Sequence, residues 1–145
     1  MEPLDLTRRP PRSPKEELDG LVMLPRTIDK MRATLPGGNP GQYRIKGFSS
    51  RLLDAIGVSE DDFRDAVASA QTDEDVAKWL REHADVSKYA EVSKTLRERT
   101  IDRIEDKAGF AERYPIIKQR PDLYYHFDIL EADDAEMFPS RSAPR

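Results

Sequence analysis

The sequence predicts an all-α fold: a compact single-domain helical bundle of about six helices, opened by an extended Pro/Arg-rich arm. Three observations support this. Apolar residues recur at helical spacing behind capping residues in several successive segments. Proline and glycine cluster between these segments, and no two alternating segments offer each other the partner that a sheet needs. With 145 residues the chain has the length of one domain. We expect an arm over residues 1–19, a helical domain over 20–139 and a frayed tail over 140–145.

The N-terminal arm is predicted from its prolines, which fix φ and bias the preceding residue toward extended conformations. Either the arm is disordered or it wraps the domain surface. Leu4 and Leu6 offer two apolar anchors and favour wrapping. Basic residues accompany the prolines: Arg8, Arg9, Arg12 and Lys15.

The first helix follows the longest apolar run of the chain, residues 21–24. Pro25 suits a first helical position, where its missing N–H costs nothing. The apolar residues that follow recur at offsets of four, three and four, which places them on one face, and we expect the rest of the fold to pack around it. These residues are Leu24, Ile28, Met31 and Leu35. The charged residues should occupy the remaining helix surface: Arg26, Asp29, Lys30 and Arg32.

Three short capped helices are predicted next, after a breaker cluster at residues 36–41 and an ordered loop at 42–48. The first begins at Ser49 or Ser50 and ends before Gly57. Ser59 caps the second and Thr72 the third, each followed by acidic residues in the first turn, where the helix dipole favours them. In the third helix Trp79 belongs to the apolar stripe, and we expect it in the core.

One long helix is predicted from Ser87 to Ala108, ended by Gly109. It carries an acidic and a basic row, each at a spacing of four residues. Such rows match an antiparallel copy of the same helix, acid to base. Alternatively, they form a solvated face with internal ion pairs. The rows are Glu98, Asp102 and Asp106, and Arg99, Arg103 and Lys107.

The last predicted helix follows residues 120–122 and carries Leu123, Tyr124, Phe127 and Leu130 on its apolar side. Its acidic residues between 128 and 136 lack the alternating ligands and the glycine of a calcium loop, so a solvated helix end explains them better than a magnesium or calcium site.

The composition excludes several classes of function. The 37% hydrophobic and 36% charged residues predict a small core under a highly charged surface, and the formal net charge of −4 argues against non-specific nucleic-acid binding. Without cysteine, disulfides and thiolate chemistry are excluded, in keeping with a reducing cytosol. No apolar run has the length of a membrane span or a secretory signal. We therefore expect a cytoplasmic protein that binds neither nucleic acid nor membrane.

A candidate anion site comes from the basic arm and the first helix. If the arm folds back, Arg12 converges with the first-helix cations, an arrangement that holds phosphate or carboxylate groups. Alternatively, Asp5, Asp29 and nearby acids pair these arginines and attach the arm to the domain. The predicted ligand-binding residues are Arg12, Arg26, Asp29, Lys30, Arg32 and Tyr43.

Other chemistry finds little support. His83 lies near a helix end, where its positive charge is favourable. His126 and Asp128 are two residues apart and face different ways on a helix, which disfavours a proton-transfer pair. Two histidines without cysteine make zinc improbable, and the serines are better explained as caps than as nucleophiles. We expect no metal and no cofactor and assign no catalytic residue, so whether the protein is an enzyme stays open.

A family resemblance adds to this interpretation. The arm sequence DLTRRPPRSP at residues 5–14, the lead-in at 20–25 and the helix sequence PRTIDKMRA at 25–33 resemble a small bacterial family of domains of unknown function. The loop PGGNPGQYRI, the helices beginning at Leu52 and Phe63, and the closing FDILEADDAEMF are also similar to it. The resemblance implies a mostly helical domain in a bacterial cytosol and carries over no reaction.

Two functions follow. The first is a non-enzymatic protein-interaction module that recognises a partner protein or a second copy of itself through charged helical faces, notably the two charge rows. The alternative is an enzyme or sensor that binds a small anionic metabolite, carrying phosphate or carboxylate, through the Arg/Lys cluster. In that alternative Tyr43 and Asp29 are candidate proton-handling groups.

Overall fold

Eight α-helices and one small hairpin form the regular structure of residues 1–139 in the computed structural model; the predicted frayed tail, residues 140–145, lies outside the described residues. The mostly helical fold is confirmed, with two more helices than expected. The helices are α1 Leu24–Ala33, α2 Phe48–Ile56, α3 Glu60–Ser69, α4 Asp73–His83, α5 Tyr89–Glu98, α6 Lys107–Arg113, α7 Ile116–Gln119 and α8 His126–Met137. No helix within residues 1–139 combines the length and apolar character needed to cross a bilayer.

A two-stranded antiparallel hairpin precedes α1 and corrects the all-α prediction. Strand β1 is Glu17–Leu18 and strand β2 is Leu21–Val22, with Leu18 opposite Leu21. The two loop residues, Asp19 and Gly20, both have positive φ, as the tight turns that match strand twist require. Each strand has only two residues, too few for the alternation of apolar and polar residues that predicts a strand.

Helix α1 lies in the core, as its apolar spacing predicts. Leu24, Ile28 and Met31 are at most 1% exposed. However, the opposite side of the helix is also covered. Arg26 and Lys30 are buried, although the sequence pattern placed them on the surface. The reason is tertiary: α8 and the segment after α1 cover the face that helical periodicity assigns to solvent.

Two of the three predicted caps of the central helices are confirmed, at Ser59 and Thr72. The cap predicted at Ser49 or Ser50 is wrong, because α2 begins at Phe48 with Gly47 at its N-cap, and the Ser50 hydroxyl donates to the Ile45 carbonyl instead. The Ser59 hydroxyl accepts a hydrogen bond from the backbone N–H of Asp62 at 3.1 Å, at the start of α3. Thr72 and Asp75 form a reciprocal capping box at the start of α4. Helix α3 packs on α1 and α4 on α3, and Trp79 is only partly buried against the core.

The predicted long helix over residues 87–108 is wrong. Helix α5 ends at Glu98, because the following backbone pairs with the chain that leads into α8. The N–H of Ile101 donates to the Tyr124 carbonyl at 2.9 Å, and the His126 N–H donates to the Arg99 carbonyl at 3.0 Å. Gly109 lies inside α6 rather than at a helix end. The acidic and basic rows are therefore divided among α5, a 3₁₀ turn at Ile101–Arg103 and α6, and they do not form two stripes on one helix.

The first residues of the chain contact the turn after α1. Leu6 donates its N–H to the Asn39 carbonyl at 2.8 Å, and the Asn39 N–H donates to the Leu4 carbonyl at 2.9 Å. Both leucines are buried against Ala33 and Tyr43. The division into an arm of residues 1–19 and a domain of residues 20–139 stays a prediction.

Candidate functional site

A buried ion pair joins the first and last helices. Arg26 of α1 donates to both carboxylate oxygens of Asp134 in α8, at 2.7 and 3.1 Å. The Tyr43 hydroxyl donates to the same carboxylate at 2.7 Å. Arg26 is only 2% exposed, and burial raises the pKa of Tyr43 well above its usual range. The arrangement compensates the charge of Arg26, although its Nε has no hydrogen-bond partner within residues 1–139.

Lys30 differs from Arg26 because no acid pairs with it. The two residues are four apart on α1 and share one face. Lys30 is 8% exposed, yet its Nζ forms no hydrogen bond or ion pair with any part of the chain that the structure describes. Burial, reinforced by the nearby charge of Arg26, lowers the pKa of Lys30 to about 7. A buried amine of this kind is partly unprotonated at neutral pH.

The side chain of Lys30 lines a cavity of about 520 Å³ between α1, residues 42–47, the end of α6 and α8. We call this space the Lys30 cavity. Its charged or titratable lining residues are five cations, two carboxylates and two tyrosines: Arg26, Lys30, Arg44, Lys46, Arg113, Glu112, Asp133, Tyr43 and Tyr114. Its volume lies in the range of small-molecule sites.

Three further cations of the cavity lack acidic partners. Arg44 donates only to the backbone carbonyls of Gly41 and Tyr43, and neither Lys46 nor Arg113 forms an ion pair within residues 1–139. All three side chains are exposed, whereas Lys30 is buried, so they form the outer part of the cavity lining. The Lys30 cavity therefore concentrates uncompensated positive charge.

Proton-bearing groups complete the lining. Burial and the neighbouring Asp134 charge raise the pKa of Asp133 to about 6. Burial also raises the pKa of Tyr114. Both groups are therefore more protonated than their exposed counterparts at a given pH.

A smaller cavity of about 70 Å³ adjoins the first and shares Lys30, Lys46 and Tyr114 with it. His126 lines it, with its ring 4.2 Å from that of Phe48. The His126 Nδ1 is buried without a hydrogen-bond partner within residues 1–139, and burial lowers the pKa of this ring to about 4, so it is neutral at pH 7. Asp128 pairs with Lys15 instead, at 2.6 Å.

The structure divides the predicted ligand-binding residues into two groups. Arg26, Lys30 and Tyr43 lie around the Lys30 cavity, with Arg26 and Tyr43 bound to Asp134. The other three predicted residues form a separate ion-pair network.

That network connects the N-terminal segment to α1 and α4. Arg12 donates to Asp29 at 3.0 Å and to Asp73 at 2.6 Å. Arg32 lies 3.9 Å from Asp29 and donates to the Glu2 carbonyl at 2.7 Å. A second cavity, of about 450 Å³, borders this network. Two of its three arginines, Arg12 and Arg32, already have acidic neighbours, and Arg9 forms no ion pair within residues 1–139. Asp29 thus pairs these arginines, as the alternative interpretation of the sequence predicts, whereas Asp5 accepts hydrogen bonds from Thr7 and forms no ion pair within residues 1–139.

Several cavity residues were not predicted, since they come from distant parts of the sequence. Lys46 lies in the same loop as Tyr43, three residues further on, but this spacing predicts a shared face only on a helix. Arg113, Tyr114 and Asp133 carried no signal in the sequence, because only the packing of α6 and α8 brings them to α1. Within residues 1–139 no three histidine or acidic side chains gather as a metal site would require.

Fold and site together define a mostly helical domain that holds a cationic cavity around a buried amine. Residues 8–136 match DUF5069, a domain of unknown function, and the protein belongs to this family. A comparison with curated proteins gives no match.

Proposed function

We propose that this protein binds a small organic anion, carrying carboxylate or phosphate groups, in the Lys30 cavity. The observation that carries the proposal is the unpaired amine of Lys30, which belongs to a buried residue beside Arg26. Two cations on one helix face repel each other, and only one of them has an acid. An anion in the cavity supplies the missing counter-charge.

The surroundings of Lys30 favour a ligand of metabolite size. Arg44, Lys46 and Arg113 bring further positive charge from two other segments, and guanidinium groups bind carboxylate and phosphate in a forked geometry. The hydroxyl of Tyr114 provides a neutral donor. An anion that reaches Lys30 replaces lost hydration with charge-assisted hydrogen bonds.

Binding should take up a proton, because an anion next to Lys30 raises the pKa of that amine back toward its ordinary value. Calorimetry in buffers of different ionisation enthalpy detects this uptake. We would titrate inorganic phosphate, lactate and citrate as probes at pH 7.5. Saturating probe should also raise the apparent melting temperature.

Lys30→Met tests the site with little change in side-chain volume. We expect it to weaken binding by about tenfold or more, the loss of one charge-assisted interaction. Lys94→Met, at an exposed position of α5, is the matched control and should bind as the unaltered protein does. If no probe binds, or if Lys30→Met binds each probe equally well, the proposal is wrong.

The protein-interaction hypothesis stays a prediction. Its main sequence observation, the pair of charge rows, lies on three separate elements rather than on one helix. No other feature of residues 1–139 favours it over the anion site.

A further inference from the structure

The amine of Lys30 is placed to react as well as to bind. A lysine becomes nucleophilic when it is desolvated or when another cation lies next to it, since both favour the free amine. Lys30 meets both conditions, through its 8% exposure and through Arg26 one helical turn before it. Lysines that pair with carboxylates, such as Lys15, keep their proton.

The groups around Lys30 suit one class of reaction partner. Arg44, Lys46 and Arg113 attract an anionic group. The uncharged amine of Lys30 is a nucleophile and reacts with an electrophilic carbon. An anion with an aldehyde or ketone group offers both. The cavity also contains the acids that the reaction needs, namely Asp133 and Tyr114.

We propose that Lys30 forms an imine with a small carbonyl-bearing anion, an inference that rests on the anion site proposed above. The Nζ lone pair attacks the carbonyl carbon, and the amine proton passes to the carbonyl oxygen to give a carbinolamine. The nitrogen then expels that oxygen as water, with one proton supplied by an acid of the cavity, and loses its remaining proton to give the neutral imine. One amine and one carbonyl thus become one imine and one water, with no change in oxidation state.

Asp133 is the carboxyl group best suited to supply the proton for water loss. It lines the same cavity, and its neighbour in sequence, Asp134, is already engaged by Arg26 and Tyr43. His126 lines the adjoining cavity, but burial makes its ring a weak base, so we assign it no proton transfer. The role of Asp133 follows from its place in the same cavity as Lys30.

Borohydride trapping tests the imine. Hydride reduces it to a stable secondary amine, so pyruvate should leave an adduct with the mass of pyruvic acid less one oxygen atom. We would incubate the full chain with limiting pyruvate, glyoxylate or dihydroxyacetone phosphate at pH 7.5, add cyanoborohydride and map the peptides. At this pH Lys30 has far more free amine than an exposed lysine, so we expect its adduct to exceed that of any of the other seven lysines by about tenfold or more.

Variants and paired probes separate this inference from the proposed function. Lys30→Met should lose the dominant adduct and Lys94→Met should keep it. Lactate and glycerol 3-phosphate lack the carbonyl group and report anion binding alone. If these probes bind but carbonyl probes leave no adduct at Lys30, or leave equal adducts on all lysines or a dominant one on Lys46, the imine is refuted and the anion site stands. If no anion of either kind binds, both proposals are wrong.

Discussion

Replacing Lys30 by methionine should change how the stability of the protein depends on pH. In the folded protein the pKa of Lys30 falls from its ordinary value of 10.5 to about 7, with burial as the main cause and the charge of Arg26 as the second. Asp134 opposes this shift but is itself bound to Arg26. Folding therefore either removes the proton from the amine of Lys30 or transfers the charged amine out of water.

The direction and size of the effect follow from proton linkage. Below pH 7 both states bind the proton, and the group gives no pH dependence. Between pH 7 and pH 10.5 the unfolded chain holds a proton that the folded chain has lost, so the free energy of unfolding rises with pH. The slope approaches about 1.4 kcal/mol per pH unit, which amounts to roughly 2–3 kcal/mol between pH 7 and pH 9.

Urea unfolding at half-unit steps from pH 6 to pH 9 measures this effect. Urea is preferred because guanidinium chloride screens charges. The difference in unfolding free energy between the unaltered protein and Lys30→Met should grow by that amount from pH 7 to pH 9 in favour of the unaltered protein. Lys94→Met should follow the unaltered curve. Parallel curves for the unaltered protein and Lys30→Met over the whole range would refute the buried, unpaired amine on which both proposals depend.

Three further predictions, the first with a matched control variant, test the ion pairs and a helix cap. Asp134→Asn leaves Arg26 buried without a counter-charge and should lower the free energy of unfolding by about 3–5 kcal/mol. The control Asp128→Asn, at an exposed ion pair, should lower it by about 1 kcal/mol or less. Equal losses for the two variants would contradict this prediction. Thr72→Ala removes a helix cap and should cost about 1 kcal/mol in the same urea assay, and an unchanged midpoint would argue against the capping box. Arg12→Ala breaks the ion pairs to α1 and α4 and should speed amide exchange in residues 8–14 without a change elsewhere, as hydrogen-exchange mass spectrometry would show.

Local signals predicted much of the fold. The caps at Ser59 and Thr72 lie where the sequence pattern placed them, because a capping side chain and its backbone partner are only three residues apart. The stripe containing Leu24, Ile28 and Met31 is buried as predicted, because the helical period alone decides which residues share a face.

Long-range contacts account for the predictions that were wrong. Residues 99–108 have helical composition, but backbone pairing of Ile101 with Tyr124 competes with the helix and prevails. In α1 the period correctly places Arg26 and Lys30 opposite the apolar stripe. It does not reveal that α8 covers this opposite face with Asp134, a residue more than a hundred positions away. The burial of these charges is therefore decided by tertiary packing. Helical periodicity alone predicts that they lie on the surface.

The two proposals for Lys30 require opposite protonation states and therefore opposite pH profiles. An anion without a carbonyl group binds best to the ammonium form, so its affinity should fall above pH 7 by up to about tenfold per pH unit. Asp133 makes the affinity begin to fall below pH 7, because its carboxyl, with a pKa of about 6, becomes negative in the same cavity. Imine formation uses the free amine, so its initial rate at saturating pyruvate should instead rise with pH from pH 6 upward, following the raised pKa that Lys30 has with the anion bound. The two pH profiles can be compared directly on one preparation of the protein. Calorimetry gives the affinity for lactate, and mass spectrometry gives the amount of trapped pyruvate adduct. Profiles that run in the same direction would show that Lys30 does not govern both processes.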